Sequence, residues 1–400
     1  MTKNIKGWHQ PAQALWLQGD KNAAIQSVIT EVNQRPTPKP IPLHLQLSYY
    51  LFLSQHYMAA SEVLKQALIL APDDWEIFRN LTVCLSRSGN HQEVIALFAK
   101  TDSDKINNDY YCQDVLCNSY YKLSQFNNAK QAGSRSLQLK HQRKSQDKNL
   151  VELLPNSITS LTGQQDIISF SLWGNDPRYL RGALDNVLAS GHLYPDWICR
   201  FYIDSSVPAE FVDTLNKLGC QVIVNNDQQT LKEKLTWRFK VLSDPNVRYF
   251  LIRDCDSVVN AREQAAVNVW LASDKTFHIM RDWWTHTDLI LAGMWGGTAG
   301  IINNIEQAIK HYQPKEIETP NIDQWFLRDC IWPHICDQSM VHDRYFDSYQ
   351  SISWPTDHNS NNHHVGQDLF TARRSLQTQR LSAWIDQSPC LQLPISLANT

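Results

Sequence analysis

The amino-acid sequence predicts an α/β domain preceded by an all-α domain of helical repeats. A small residue recurs at an interval of about 35 residues in the first third of the chain. From Asp166 onward, short apolar runs alternate with amphipathic segments, which is typical of a mostly parallel sheet covered by helices on both faces. We therefore predict a repeat domain at 1–145, a linker at 146–165, an α/β domain at 166–350 and a tail, a candidate lid, at 351–400.

Composition excludes several classes of protein. The chain has 400 residues, 42% of them hydrophobic, which is enough for more than one core. A net charge of -3 gives no electrostatic basis for binding nucleic acid or an anionic membrane. The nine cysteines form no CxxC pair, the first residues contain no apolar leader, and the longest apolar stretch, 289–295, is far shorter than the ~20 residues of a membrane span. We expect a cytoplasmic protein with no nucleic-acid partner and no transmembrane segment.

The repeat consists of a turn, a helix start and a small residue, and it occurs four times. The small position is Ala24, Ala60, Val94 and Ala129, at intervals of 36, 34 and 35. Five residues earlier stand Gly19 and Gly89 in two copies, where a turn between helices needs positive φ, and Gln55 and Ser124 in the others. This spacing resembles the tetratricopeptide repeat, whose concave surface implies a protein partner, an acceptor or self-association. A generic helical bundle is the alternative.

The second part of the chain alternates between strand and helix patterns. Acidic residues follow two of the predicted strands: Asp204 follows the second, and Asp254 and Asp256 follow the fourth. Ligands of parallel sheets bind beyond the carboxyl ends of the strands, so these side chains are candidates for a site. Strands are predicted at 167–172, 197–203, 221–224 and 247–252, and helices at 177–189, 208–218 and 231–242.

Asp254-Cys255-Asp256 forms a DxD triplet whose context makes it informative. Such triplets arise by chance, and Asp102-Ser103-Asp104 is one with no strand before it. The triplet at 254–256 instead follows the apolar run 249–252, which brings it to the ligand edge of the sheet. Two carboxylates there suit Mg²⁺ or Mn²⁺, which need few protein ligands and complete their shells with phosphate oxygens. A solvated turn at the strand end is the alternative.

Four features in order resemble the GT-A class of glycosyltransferases. They are the loop 171–174 after the first strand, the DxD triplet, the glycine-containing segment 289–297, and the residues 321–324 followed by 340–342. The resemblance implies a Rossmann-like sheet, a nucleotide-diphosphate sugar donor and Mn²⁺ or Mg²⁺. It leaves the acceptor open between a glycan, a lipid-linked saccharide and a protein.

The resemblance also implies residue roles. If the reaction inverts the sugar configuration, Asp323 acts as general base; if it retains it, Gln324 lies against the sugar, and the residue pattern favours retention. Trp283, Trp284 and Trp295 could stack on sugar rings. The metal ligands are then Asp254, Asp256 and His342; the donor contacts are Leu172, Trp173, Asp204, Arg238, Asp254, Gly296 and Gly297; and the catalytic residues are Asp323, Gln324 and Asp282.

Two other functions fit parts of the sequence. A haloacid-dehalogenase-like phosphatase would use Asp254 as nucleophile and Asp256 as general acid, with Asp343 and Asp347 as a late acidic pair. That family normally starts with this strand, whereas three strands precede it here. A repeat-based scaffold with an inactive α/β domain would bind no nucleotide in a metal-dependent manner.

Overall fold

The computed structural model describes residues 5–143, 145, 147–154, 164–302, 304–314, 321–357 and 364–369. The chain divides into two compact units, Met1–Leu139 and Lys140–Thr400. Residues 155–163 of the predicted linker and most of the predicted tail lie outside the described residues. In the part of the chain that is described, no helix has both the length and the apolar character needed to cross a bilayer.

The first unit contains helices and, among its described residues, no strand. Successive helices pack against each other from the first to the sixth. The four predicted small positions, Ala24, Ala60, Val94 and Ala129, are fully buried. The helices are α1 (Gln10–Leu17), α2 (Lys21–Gln34), α3 (Ile41–Leu53), α4 (Tyr57–Leu70), α5 (Trp75–Arg87), α6 (His91–Phe98), α7 (Ser103–Asn107), α8 (Tyr110–Lys122) and α9 (Phe126–Gln142).

The turns before the small positions share one backbone conformation. Gly19 and Gly89 have φ of 88° and 85°, as their residue type predicts. Gln55 and Ser124 adopt φ of 63° and 60° at the equivalent positions, although they carry a Cβ. The turn geometry is therefore common to all four copies, and two of them accept the steric cost of a left-handed residue that is not glycine.

The second unit is built on one eight-stranded sheet of order β3-β2-β1-β4-β6-β5-β7-β8. β6 runs antiparallel to β4 and β5, and the remaining neighbours pair in parallel. The expectation of a mostly parallel sheet is confirmed. The strands are β1 (Gln165–Leu172), β2 (Trp197–Ile203), β3 (Gln221–Val224), β4 (Val247–Arg253), β5 (Phe277–Arg281), β6 (Met294–Thr298), β7 (Ser339–Asp343) and β8 (Ser351–Ile352).

Helices and short helical turns surround this sheet. Its main apolar core includes Phe170 of β1, Phe201 of β2 and Leu184 of the first helix of the unit, all fully buried. The α-helices are α10 (Pro177–Leu193), α11 (Ala209–Lys217), α12 (Leu231–Thr236), α13 (Ala261–Leu271), α14 (Ile305–His311), α15 (Ile322–Phe326) and α16 (Trp332–Ile335).

The helix predicted at 231–242 is interrupted. α12 ends at Thr236, and a 3₁₀ segment continues from Trp237 to Ser243. The backbone of Arg238 is bonded to β1: its carbonyl accepts from Ser169 Oγ at 2.8 Å and its N–H donates to Ser171 Oγ at 3.0 Å. These bonds compete with the α-helical pattern and hold Arg238 against the sheet.

α10 packs unusually close to the DxD turn. A Cβ on Gly182 would overlap the carbonyl group of Cys255. The contact is reinforced by Asn186, whose Nδ2 donates to Ser257 O at 2.9 Å and whose Oδ1 accepts from Val259 N–H at 3.1 Å. The spacing between α10 and the turn is therefore set by the absence of a side chain at Gly182.

We predict that Gly182→Ala lowers the free energy of unfolding by about 1–3 kcal/mol, because backbone atoms must shift to admit the methyl group. Gly191→Ala in the same helix is the matched control, since nothing lies within 4 Å of its Cβ position. That substitution should be neutral or stabilise by about 0.5–1 kcal/mol, because alanine favours the helix. Urea denaturation of both variants measures the difference, and equal effects would show that the close approach is unimportant.

Candidate functional site

The sheet has a topological switch point between β1 and β4. From β1 the chain proceeds outward through β2 and β3, and β4 then returns to the opposite side of β1. Leu172 pairs with Ile203 and Phe170 with Arg253, so the carboxyl ends of these strands lie side by side. Crevices outside the carboxyl ends at such a point are the usual ligand sites of open α/β sheets.

The DxD triplet lies at this point, at the end of β4. Asp254 is the more open of the two aspartates, with 48% of its side chain exposed, whereas Asp256 has 16% exposed. Cys255 between them is buried, and its Sγ lies 3.4 Å from Ser171 O. Burial raises the pKa of this thiol well above its usual value, so it is a packing residue and not a reactive group.

Arg238 joins Asp254 to Asp323. Its Nη1 forms an ion pair with Asp254 Oδ1 and also donates to Arg253 O at 3.0 Å. Its Nη2 donates to Asp323 Oδ2 at 2.9 Å, and both of these side chains are 5% exposed. The predicted donor contact Arg238 and the predicted base Asp323 are thus brought together with the first aspartate of the triplet.

Arg178 holds the second aspartate. Its Nη2 lies 2.5 Å from Asp256 Oδ2 and 3.0 Å from Asp368 Oδ2. Asp368 belongs to the segment 364–369, which also reaches the turn through the N–H of Leu369, a donor to Asp256 O at 3.2 Å. This segment is part of the predicted tail 351–400, the candidate lid, and it contacts the DxD turn.

Three buried polar atoms on the two arginines and on the neighbour of Asp323 have no hydrogen-bond partner among the described residues. They are Arg178 Nε, Arg238 Nε and Gln324 Oε1. Gln324 follows Asp323 directly, and its N–H donates to Asp323 Oδ1 at 2.8 Å. Because buried polar atoms normally have partners, unpaired donors and acceptors on connected residues are typical of a site that binds a ligand.

The cluster is more acidic than basic. Four carboxylates, those of Asp254, Asp256, Asp323 and Asp368, share two guanidinium groups, so two negative charges are in excess when all are ionised. Burial, and then the charge of Asp254, raises the pKa of Asp256 to about 6, although Arg178 opposes the shift. Burial likewise raises the pKa of Asp323 to about 6, and Arg238 offsets part of this effect.

The residues predicted to contact the nucleotide follow the carboxyl ends of β1 and β2 or lie within them. Asp204, at the end of β2, is ion-paired to Lys234 Nζ at 2.6 Å and accepts from Ser206 N–H at 3.1 Å. These partners lower the pKa of Asp204 despite the opposing effect of burial. Leu172 is buried in the core, and Trp173 is half-buried, with its ring 6.1 Å from that of Trp237 in a T-shaped contact.

Asp282 follows β5 at the same edge of the sheet as the triplet, but its carboxylate is buried and bonded to other residues of the chain. Its carboxylate is fully buried, accepts from Arg262 at 3.2 and 3.3 Å, and accepts from Val365 N–H at 2.9 Å. Trp283 and Trp284 beside it stack on His364 and Tyr345 respectively, and Trp295 is buried inside β6. In this structure Asp282 holds the segment 364–369 in place.

His342 is not brought together with Asp254 and Asp256. It is buried in β7, and both β6 and β5 lie between β7 and β4. Its Nδ1 is 2.8 Å from His278 Nε2, so the two imidazoles are joined by a hydrogen bond. Burial lowers the pKa of His342 to about 4, which makes it a neutral histidine within a core.

The predicted glycine contacts also lie elsewhere. Gly296 and Gly297 pair with Leu251 and Phe250 inside the sheet. The glycine of this segment that lies beside the triplet is Gly293, where a Cβ would overlap Asp254 Oδ2. The antiparallel course of β6 explains this difference, because it brings the residue before the strand, not its middle, to the end of β4.

The sequence patterns did not indicate Arg178 or Asp368 as site residues, and they indicated Gly293 only as part of the segment 289–297. A signal existed for Arg178, because a cation in the first turn of a helix opposes the helix dipole, and that turn of α10 holds no acidic residue. Such a local conflict often marks a functional residue. Asp368 reaches the triplet only through the tertiary fold, and its neighbouring sequence carries no such signal.

The residues at the triplet fit a divalent cation only in part. Two carboxylates and an excess of two negative charges are suited to Mg²⁺ or Mn²⁺, which accept few protein ligands. Among the described residues, however, no group of three or more His, Cys, Asp or Glu side chains could hold a metal ion. A cation here would therefore depend on Asp254 and Asp256, with phosphate or water completing its coordination.

Comparisons with known proteins give little further information. No family model and no curated protein matches the chain. Many solved structures are similar to parts of it, including the following three. A MamA RS-1 ArsTM double mutant has 14% identity and a TM-score of 0.29, over 32% of this chain and 71% of that chain. A mutant O-GlcNAc transferase from Thermobaculum terrenum has 13% identity and a TM-score of 0.37, over 60% of this chain and 44% of that chain.

The third is 4-diphosphocytidyl-2C-methyl-D-erythritol synthase from Anaerococcus prevotii. It has 14% identity and a TM-score of 0.31, over 54% of this chain and 99% of that chain. Identities and scores this low establish neither a shared fold nor a shared activity. The geometry of the site therefore carries the functional conclusion.

We predict that Asp256→Asn stabilises the protein at neutral pH. Because the native pKa of about 6 exceeds the ordinary value of 3.8, the native state retains protons that the unfolded state has lost, and stability falls as pH rises between these values. Above pH 6 the free energy of unfolding of the variant should be about 1–2 kcal/mol larger than that of the wild type. Below pH 4 the two free energies should be equal.

Urea denaturation between pH 4 and pH 8 measures this difference. Asp204→Asn is the control of opposite sign: the pKa of Asp204 is lowered, so removal of its charge should destabilise at neutral pH and have little effect in acid. If Asp256→Asn destabilises at neutral pH, the ion pair with Arg178 outweighs the cost of burying the charge.

Proposed function

We propose that this chain is a metal-dependent glycosyltransferase that moves a sugar from a nucleotide-diphosphate donor to an acceptor. The observation that carries the proposal is the position of two aspartates at the carboxyl end of β4, beside the switch point of a mostly parallel sheet. Arg178 and Arg238, which are ion-paired to these aspartates, and Gln324, which follows Asp323, each have a buried polar atom without a hydrogen-bond partner among the described residues. This combination of charge and unused hydrogen-bonding capacity suits a diphosphate bound with a cation.

Asp254 and Asp256 would hold the cation, Mn²⁺ or Mg²⁺. When bound, it supplies Lewis-acid stabilisation to the negative charge that develops on the departing diphosphate. Arg238 fixes the orientation of Asp254, and Asp323 in turn fixes Arg238 through the bond at 2.9 Å. Such positioning fits the requirement that charged groups be held in place before the reaction.

The donor sugar would lie next to Gln324. Its buried Oε1 is free to accept a bond from a sugar hydroxyl, whereas the carboxylate of Asp323 is already engaged by Arg238 and by the N–H of Gln324. This difference favours Gln324 as the residue that contacts the sugar, with Asp323 acting through Arg238. It agrees with the retaining reaction that the sequence pattern favours.

The nucleotide would occupy the end of β1 and β2, where Trp173 and Asp204 border the crevice. The acceptor, a glycan, a lipid-linked saccharide or a protein, is a matter for experiment. We propose that the repeated helix pairs of the first unit hold a protein partner, the acceptor or a second copy of the chain, since stacked repeats offer extended concave surfaces.

The phosphatase alternative receives no support from the late acidic pair. Asp343 lies at the end of β7, where its carboxylate accepts a hydrogen bond from Arg281 Nε at 2.7 Å. In the sheet, β6 and β5 separate β7 from β4. Asp347 is exposed in the following turn. The carboxylate of Asp343 is therefore not brought to Asp254.

We predict that Mn²⁺ together with one nucleotide-diphosphate sugar raises the melting temperature, and that neither alone does so to the same extent. A ligand at a hundred times its Kd stabilises by about 2.7 kcal/mol, which a thermal-shift panel detects. Asp256→Asn should lose this shift relative to its own ligand-free melting temperature. Asp166→Asn is the matched control, because Asp166 is also paired to an arginine but lies at the opposite end of β1.

His342→Gln tests the third ligand predicted from the sequence, and its distance from the triplet in the sheet order leads us to expect an unchanged shift. Release of phosphate from p-nitrophenyl phosphate, with no stabilisation by any nucleotide sugar, would replace the proposal with the phosphatase. No response to any of these compounds would favour a scaffold.

A further inference from the structure

Arg178 lies between two carboxylates and forms an ion pair with each of them. One nitrogen, Nη2, lies 2.5 Å from Asp256 Oδ2 and 3.0 Å from Asp368 Oδ2. The side chain is 35% exposed, so its guanidinium is partly in solvent. Its Nε is buried and donates to no described residue. The guanidinium therefore has both room to move and unused capacity to donate.

The backbone beneath Arg178 is fixed. Arg178 lies in the first turn of α10, where its own N–H donates to the capping carboxylate of Asp176 at 2.9 Å. Further along the helix, Gly182 abuts the carbonyl of Cys255, and Asn186 is bonded to the turn that comes after the triplet. Any rearrangement of Arg178 is consequently a rotation of its side chain, while the backbone of α10 and the DxD turn stay in place.

A cation on Asp254 and Asp256 would change the balance of forces on this guanidinium. Arg178 Nη2 occupies a position in contact with Asp256 Oδ2, so an incoming divalent cation competes with it for the same oxygen and repels it. The diphosphate of the donor would supply a new partner at the same place. A guanidinium matches phosphate oxygens geometrically and can donate two parallel bonds to them.

We propose that Arg178 is a phosphate-binding residue that leaves Asp256 when a cation binds and then contacts the diphosphate of the donor. The inference rests on the proposed function and adds a source of specificity to it. The same residue weakens the binding of cation alone and strengthens the binding of cation with diphosphate. It thereby selects nucleoside diphosphates over nucleoside monophosphates, because a monophosphate has no second phosphate for Arg178 to contact.

Isothermal titration of the full chain tests this with Mn²⁺ alone, and with UDP, GDP, ADP, CDP and the matching monophosphates in the presence of Mn²⁺. Arg178→Ala should bind Mn²⁺ alone roughly two- to fivefold more tightly, because a partly exposed competing ion pair is removed. It should bind the preferred nucleoside diphosphate about ten- to a hundredfold more weakly, because charged hydrogen bonds are lost. Its affinity for the monophosphate should fall much less.

Arg248→Ala is the matched control. Arg248 is 39% exposed and forms an ion pair of 2.5 Å with the buried Asp166, at the other end of the sheet. This variant loses an equivalent ion pair but should retain wild-type binding of Mn²⁺ and nucleotide. Asp368→Asn is the second variant: it frees Arg178 from one partner, so diphosphate binding should be unchanged or tighter.

The outcomes separate the two proposals. A wild type that binds no nucleoside diphosphate with Mn²⁺ overturns the proposed function, and this inference with it. A wild type that binds, with Arg178→Ala binding the diphosphate equally well, overturns this inference alone. Weaker binding of Mn²⁺ alone by Arg178→Ala also overturns it, since that result assigns Arg178 a supporting role in the shape of the site. Arg178→Lys, which retains the charge, should recover part of the diphosphate affinity if the inference is correct.

Discussion

The arrangement of the candidate site depends on a buried guanidinium, that of Arg238, shared between two carboxylates. The ion pairs with Asp254 and Asp323 compensate a charge that would otherwise be costly to bury. They also join three separate parts of the chain: the 3₁₀ segment that precedes β4, the end of β4 itself, and α15. Loss of this charge would leave Asp323 buried without its cation and Asp254 without a fixed orientation.

This interaction also accounts for the local backbone. Ser169 and Ser171 of β1 bind the carbonyl and the N–H of Arg238, and this bonding coincides with the change from α12 to a 3₁₀ segment. The irregularity presents the guanidinium to the end of β4 without exposing it. A regular helix would need the same backbone groups for its own hydrogen bonds.

The second arginine, Arg178, has a different character. It is more exposed, its partners are Asp256 and Asp368, and the latter belongs to a segment that reaches the triplet from far along the chain. The two arginines at the triplet therefore differ. Arg238 is buried and positions a carboxylate, whereas Arg178 is held by weaker, partly solvated ion pairs. The excess of negative charge that remains is consistent with a cation as an additional component.

The sequence by itself determined much of the fold, because periodicity and turn chemistry are local properties. The strands predicted at 197–203 and 221–224 match the structure, and the predicted small positions at Ala24 and its counterparts are buried. It also indicated the edge of the sheet at which Asp204, Asp254 and Asp256 lie, since carboxyl ends of parallel strands share one edge.

Only the tertiary structure decided which side chains meet there. The antiparallel course of β6 places Gly293, rather than Gly296 or Gly297, beside Asp254, and the strand order removes His342 from the triplet. Arg178 and Asp368 become neighbours although 190 positions apart in the chain, and Arg238 meets Asp323 across 85. Contacts of this kind arise from strand order and helix packing, which no local pattern of residues encodes.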